Sequence, residues 1–203
     1  SPNLRQFACL LAAAAMWGLT PVVTAPPIFT TVEIVANSTD TVWTLAQTGW
    51  TTDELSLAID AAVLAPRYEH VSLLIGVNNQ YRGRTVANYA AEFRVLLDRA
   101  IGFAGGDAAR VFAVSIPDWG VTAFAARDGR GRGRIGREID AFNAAASAVC
   151  GVRAVRFIDI TPTSRDRGGD PAMLAADGLH PSRAMYARWV DDIAHTLQVD
   201  AAG

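Results

Sequence analysis

The chain reads as an α/β protein, a three-layer α/β/α sandwich around a central parallel sheet of about five strands. Three observations predict this. Short apolar runs at 70–75, 110–116 and 154–160 have the character of strands buried on both faces. Stretches with helical spacing separate them, at 52–64, 88–103 and 138–149. The strands run out at Gly76-Val77-Asn78, Pro117-Asp118-Trp119 and Asp159-Ile160-Thr161-Pro162. In such sheets a ligand site lies beyond the carboxyl ends of the strands.

Each element has a local reason. Thr51-Thr52-Asp53-Glu54 starts a helix as a cap would, Leu55, Ile59 and Ala62 continue at helical spacing, and Pro66 ends it. From Asn88 to Phe103 one stripe holds Tyr89, Phe93, Leu96, Leu97 and Ala100. Gly105-Gly106-Asp107 turns the chain into the strand RVFAVSI. A Gly- and Arg-rich loop is expected from Arg127 to Gly136, then a helix from Glu138 to Val149 and the strand AVRFIDI. Pro181-Ser182 opens a closing helix to Leu197.

The first 50 residues follow the pattern less closely. Val32–Ala36 and Val42–Ala46 read as strands, and the four turn residues between them favour an antiparallel hairpin. Leu4–Leu11 fits a strand or the start of an alanine-rich helix. Arg5, the apolar run Phe7–Trp17 and Val23-Thr24-Ala25 have the layout of a secretory signal. A cytoplasmic location is favoured, with secretion the alternative. The run is shorter than the roughly 20 residues that span a bilayer, so no stable membrane insertion is expected.

The 203 residues suit one domain, 1–203, with 1–45 its atypical part. A net charge of -2 offers nothing to a polyanion, which argues against nucleic acid as a partner. Cys9 and Cys150 match no metal spacing and no CxxC pair, and both read as small buried apolar residues. Gly131 to Gly136 matches GxGxxG, but it follows a loop and not a strand, so the dinucleotide reading fails. Its arginines then belong to a solvated loop before a helix.

Two distant segments carry chemistry. Asp177-Gly178-Leu179-His180 places a carboxylate three residues before an imidazole, the spacing of an orienter and a general base. Gly76-Val77-Asn78 places an amide donor at a strand end, suited to an oxyanion. Read alone, the first is a capping carboxylate with a surface histidine, and the second a turn; together they favour a catalytic site. His70 and His195 read as surface groups. Asp118 and Trp119 either line a pocket or form a packed turn.

These segments resemble the SGNH hydrolases, or GDSL esterase/lipase family. Gly76-Val77-Asn78 matches its third block and Asp177-Gly178-Leu179-His180 its last. Gly49, in Gln47-Thr48-Gly49-Trp50, looks like the glycine of the second block, whose N–H joins the oxyanion hole. The stretches TGWTTDEL, LLIGVNNQYRG, SIPDWGVT and ADGLHPS resemble one bacterial branch, over about residues 46–195. The resemblance implies an SGNH or flavodoxin-like sheet and a serine esterase acting on small carboxylic esters through an acyl-enzyme. No cofactor or metal is implied, and the partner is a small-molecule ester. Asn79 stands where the family often has Asp, which suggests a supporting role.

The first block departs from the family. Gly-Asp-Ser is absent, and the expected distance falls within Leu10 to Met16, which holds no serine. Ser38 is the substitute nucleophile by local pattern, although it precedes Gly49 too closely for a strand-helix-strand connection. Cys9 is a weaker candidate. The rival reading is an impaired member that keeps the cleft and binds an acyl or carbohydrate ligand. A flavodoxin-like nucleotide binder is weaker, because no phosphate-binding loop follows an early strand.

Overall fold

The computed structural model describes residues 6–11 and 41–201. Among the described residues five strands form one sheet: β1 (Gln6–Leu11), β2 (Thr41–Thr44), β3 (His70–Leu74), β4 (Val111–Val114) and β5 (Arg156–Ile158). Their order is β2-β1-β3-β4-β5 and every pair is parallel. The chain thus winds outward in both directions from β1, and the order reverses between β1 and β3. A ligand crevice opens at such a switch point, beyond the strand ends.

Alternation along the strands divides the core. Val71 and Leu73 of β3 and Ala113 of β4 pack with helices α1 (Thr52–Ala61), α3 (Val86–Phe103) and α4 (Arg132–Val152), through Leu55, Phe93, Leu97 and Ile139. Leu74, Phe112, Val114 and Ile158 face the other way, onto Met185, Trp189 and Ile193 of α6 (Arg183–Ala201). Two apolar layers around one sheet make the expected α/β/α sandwich. The α3 stripe is buried as its spacing requires: Tyr89, Phe93, Leu96, Leu97 and Ala100. Thr85 caps it by accepting the Asn88 N–H at 3.1 Å.

Three elements differ from expectation. The GxGxxG stretch is no solvated loop, because α4 begins at Arg132. Ile135, Ile139 and Phe142 continue one buried stripe, and burying Ile135 outweighs the low helix propensity of Gly133 and Gly136. Two short helices were not predicted. One is α2 (Val77–Tyr81), directly after β3, with four buried residues; the other is α5 (Thr161–Arg167), with Pro162 in its first turn. Both are too short for a periodic signal, and tertiary burial holds them.

Near the N-terminus, Gln6–Leu11 forms a strand, registered Leu11 to Leu74 against β3. The strand expected at 42–46 appears as Thr41–Thr44, and its partner is β1, in parallel. The other half of the expected hairpin, 32–36, lies outside the described residues. Ser38 lies outside them as well. Cys150 is free and buried, with its thiol pushed by burial up to about 12. His195 is exposed, whereas His70 is half-buried at the start of β3, and that burial lowers its pKa. Among the described residues no helix is long and apolar enough to cross a membrane.

Candidate active site

The turn at 177–180 explains the spacing of its two functional groups. Asp177 Oδ1 accepts the N–H groups of Leu179 and His180, each at 2.9 Å. Its Oδ2 bonds the His180 ring at Nδ1. One carboxylate therefore shapes the backbone turn and orients the imidazole it carries. Gly178, at φ 69°, takes the left-handed conformation that closes the turn. The loop is fixed from outside: the Ala175 N–H donates to the His180 carbonyl at 2.7 Å, and the Phe124 N–H to that of Gly178 at 3.2 Å.

Burial pushes the Asp177 carboxyl up, but the bonds from the His180 ring and from two N–H groups outweigh it and hold the pKa below the usual value. Asp177 is thus ionised across the neutral range, as an orienter of imidazole must be. Its side chain remains 49% exposed, while that of His180 is 8% exposed.

At the end of β3 the chain turns into α2 through Gly76. Tyr89 fixes this corner by donating its hydroxyl to the Ile75 carbonyl at 3.0 Å. A Cβ at Gly76 would stand 2.5 Å from the Tyr89 ring, and φ is 130°. Glycine is required there on both counts. Asn78 follows in the first turn of α2 and is buried. Its Nδ2 donates to the Trp50 carbonyl at 3.0 Å. Arg82, just past α2, donates to the Gly49 carbonyl at 2.7 Å and pairs with Glu54. Gly49 and Asn78, 29 positions apart in sequence, are thereby held on neighbouring pieces of backbone.

Asn79 acts as a tether. Its amide accepts the Thr52 N–H at 3.1 Å and donates to the Thr52 hydroxyl at 2.6 Å, while that hydroxyl donates to Glu92. Gln80 completes α2's connections. It accepts the Trp119 indole N–H at 2.8 Å and donates to Glu138 at 2.7 Å. Arg130, from the stretch expected to be a free loop, lies 4.8 Å from the Tyr81 ring centre and 4.9 Å from that of Trp119. Asp128 holds it there.

His180 lines a cavity of about 50 Å³ with Val77, Trp119, Leu179, Met185 and Trp189. Val77 adjoins Asn78, so the two sequence segments approach one space. Asp118 and Trp119 are buried in the same wall, which decides between pocket and turn: they are both. Asp118 accepts the Gly120 N–H and the Arg165 guanidinium, each at 2.8 Å. Ser164 and Trp189 also stand in the wall and were not singled out from sequence. Ser164 has no local signal, because it sits in the short α5, and nothing local sets Trp189 apart from the other apolar residues of α6.

Solved structures place this architecture among known folds. A lipase/acylhydrolase from Enterococcus faecalis aligns at a TM-score of 0.63 and 21% identity, over 97% of this chain and 96% of that one. The acetylxylan esterase Axe2 of Geobacillus stearothermophilus gives 0.63 and 15%, over 95% and 94%. The acetyl xylan esterase AlAXEase gives 0.59 and 13%, over 78% and 81%. At these identities the likeness is one of fold. No curated protein sequence matches. Residues 21–188 match the GDSL-like lipase/acylhydrolase family. That span takes in Gly76-Val77-Asn78, Asp177-Gly178-Leu179-His180 and most of the chain, and the protein belongs to this family of ester hydrolases.

Proposed function

We propose that the chain hydrolyses small carboxylic esters through an acyl-enzyme, with His180 as general base and acid and Asp177 as its orienter. Asn78 and the Gly49 N–H are the oxyanion donors. The observation that carries this reading is the Asp177–His180 pair at the wall of a cavity that Val77, beside Asn78, also lines.

In the first half-reaction a serine hydroxyl adds to the ester carbonyl carbon, and its proton passes to His180 Nε2. Negative charge collects on the carbonyl oxygen, where the Asn78 amide and the Gly49 N–H stabilise it. The tetrahedral intermediate collapses, the carbon–oxygen bond to the alcohol breaks, and His180 returns the proton to the leaving oxygen. Water then repeats the sequence on the acyl-serine and frees the acid. Each step is a proton transfer or an addition–elimination, so the scheme calls for no metal or cofactor.

By local pattern the nucleophile is Ser38, although it comes before β2 in the chain whereas the site lies beyond the carboxyl ends of the strands. Among the described residues lining the cavity the serine is Ser164, but its hydroxyl donates to the Thr161 carbonyl at 2.8 Å and accepts the Asp118 N–H at 3.0 Å. A hydroxyl engaged on both sides is a poor nucleophile. A second reading, binding of an acyl or carbohydrate ligand without turnover, is favoured by the sequence after β1. Leu11 is followed by Ala12-Ala13-Ala14-Ala15-Met16, without a serine.

Labelling with a fluorophosphonate, peptide mapping and a p-nitrophenyl acetate assay on one sample separate the two. A stoichiometric adduct on Ser38 with loss of hydrolysis supports the assignment. An adduct on a different serine moves the nucleophile. Neither adduct nor hydrolysis from folded protein supports binding without turnover.

A further inference from the structure

Helix α2 carries three buried side-chain amides, and they reach two ways. Asn78 and Asn79 bond to Trp50 and Thr52, in the segment that follows Gly49. Gln80, 1% exposed, reaches instead to Trp119, which lines the cavity with His180. The Gln80 carbonyl accepts the Trp119 indole N–H at 2.8 Å, and its NH2 donates to Glu138 of α4 at 2.7 Å. The other oxygen of Glu138 accepts Arg134 Nε, also at 2.7 Å. Chemistry fixes the direction of this chain of bonds. An indole N–H only donates and a carboxylate only accepts, so the amide fits one way round. Burial pushes the Glu138 carboxyl up, but the bonds from Arg134 and Gln80 outweigh it and keep it ionised.

A helix of five residues does not hold its own position; its contacts do. Asn78 is anchored on one side to Trp50, and two positions later Gln80 anchors the same helix to the cavity wall. The wall and the oxyanion donor are thereby tied through one buried amide. We propose that Gln80 is a positioning residue for ester hydrolysis, its amide setting the spacing between Asn78 and the wall that His180 shares with Trp119. The proposal rests on the ester-hydrolase reading and adds to it a residue that acts through Trp119.

Exchanging the two partners tests the link. Gln80→Glu sets a second carboxylate against Glu138, and the guanidinium groups around it are engaged, Arg134 with Glu138 and Arg130 with Asp128. On p-nitrophenyl acetate at pH 8, kcat per folded molecule should fall by on the order of tenfold, with KM within about twofold, because the oxyanion contact belongs to the transition state. Gln80→Leu removes both bonds without adding charge and should show the same split, which keeps the test open if the first variant does not fold. In the double variant Gln80→Glu with Glu138→Gln, carboxylate and amide trade places. The carboxylate then accepts from Trp119 and from the new amide, whose oxygen accepts from Arg134, and most of kcat should return. The Trp119 indole signal in ¹⁵N NMR should move upfield in Gln80→Leu and return downfield in the double variant. A folded single variant with parental kcat, a loss confined to KM, or a double variant that regains the indole bond and not kcat would overturn the positioning role. So would a double variant whose indole signal stays upfield. A parent that hydrolyses no ester sinks the hydrolase reading and this role with it; a hydrolysing parent with unaffected variants sinks the role alone.

Discussion

The side-chain amide of Asn78 donates to the backbone carbonyl of Trp50 at 3.0 Å, across 28 positions of sequence. One amide hydrogen thus holds the backbone next to Gly49, and in the proposed mechanism the second meets the substrate oxygen. Asn78→Ala removes both. It is expected to lower kcat by on the order of a hundredfold with little change in KM, the mark of a contact made only in the transition state. Steady-state kinetics on p-nitrophenyl acetate checks this, and a loss confined to KM would argue against an oxyanion role.

His180→Ala should abolish ester hydrolysis while the circular dichroism spectrum stays native, because the ring packs at a cavity wall and not in the centre of either core layer. Asp177→Asn should lower kcat by on the order of a thousandfold, because the Leu179 and His180 N–H groups hold the amide oxygen at the Oδ1 site, so the NH2 faces Nδ1, donates to it and leaves the ring proton on Nε2. Wild-type rates in either variant would refute the pair.

Gly76→Ala should be strongly destabilising, by about 2–4 kcal/mol. The new methyl meets the Tyr89 ring at 2.5 Å, and the backbone cannot move away without releasing the Tyr89–Ile75 bond. Thermal melting measures it. Gly76→Ala with Tyr89→Leu should recover part of the loss if the ring contact is the cause; a variant as stable as the parent would show that the corner is compliant.

The Asp53 carboxyl is held down to about 2, chiefly by the Arg84 hydrogen bond and secondarily by Thr51, against an opposing effect of burial. A lowered pKa in the folded state means stability present above the unfolded value of about 4 and lost as pH falls from there through about 2. Asp128, Glu138 and Asp177 shift in the same direction. Denaturant titrations should therefore show stability falling across that window. Asp53→Asn should be less stable than the parent at pH 6 and converge with it near pH 2; a constant gap at all pH values would exclude this contribution.

The parts of the fold with their own period were legible in the chain. The α3 stripe, the strands at 70–74 and 111–114, and the closing helix declare themselves because burial of one face repeats at 3.6 or through a continuous apolar run. The Asp177–His180 pairing was equally local, since three residues are enough for one carboxylate to cap a turn and hold the ring in it. What escaped was structure without a period. The five residues of α2 and the first turns of α4 are helical because Asn78, Asn79, Gln80 and Ile135 are buried by segments remote in sequence.

Sequence by itself thus determined the sheet class, the turn that pairs Asp177 with His180, and the strand end that carries Asn78, each from residues within one element or turn. Only the tertiary structure decided that Asn78 meets the Trp50 carbonyl, that Arg82 clamps Gly49, and that Trp119 and Trp189 share the cavity wall with His180. The physical reason is range. Dihedral preference and hydrophobic period act over a few residues, whereas a cavity exists only once strands far apart in the chain stand side by side.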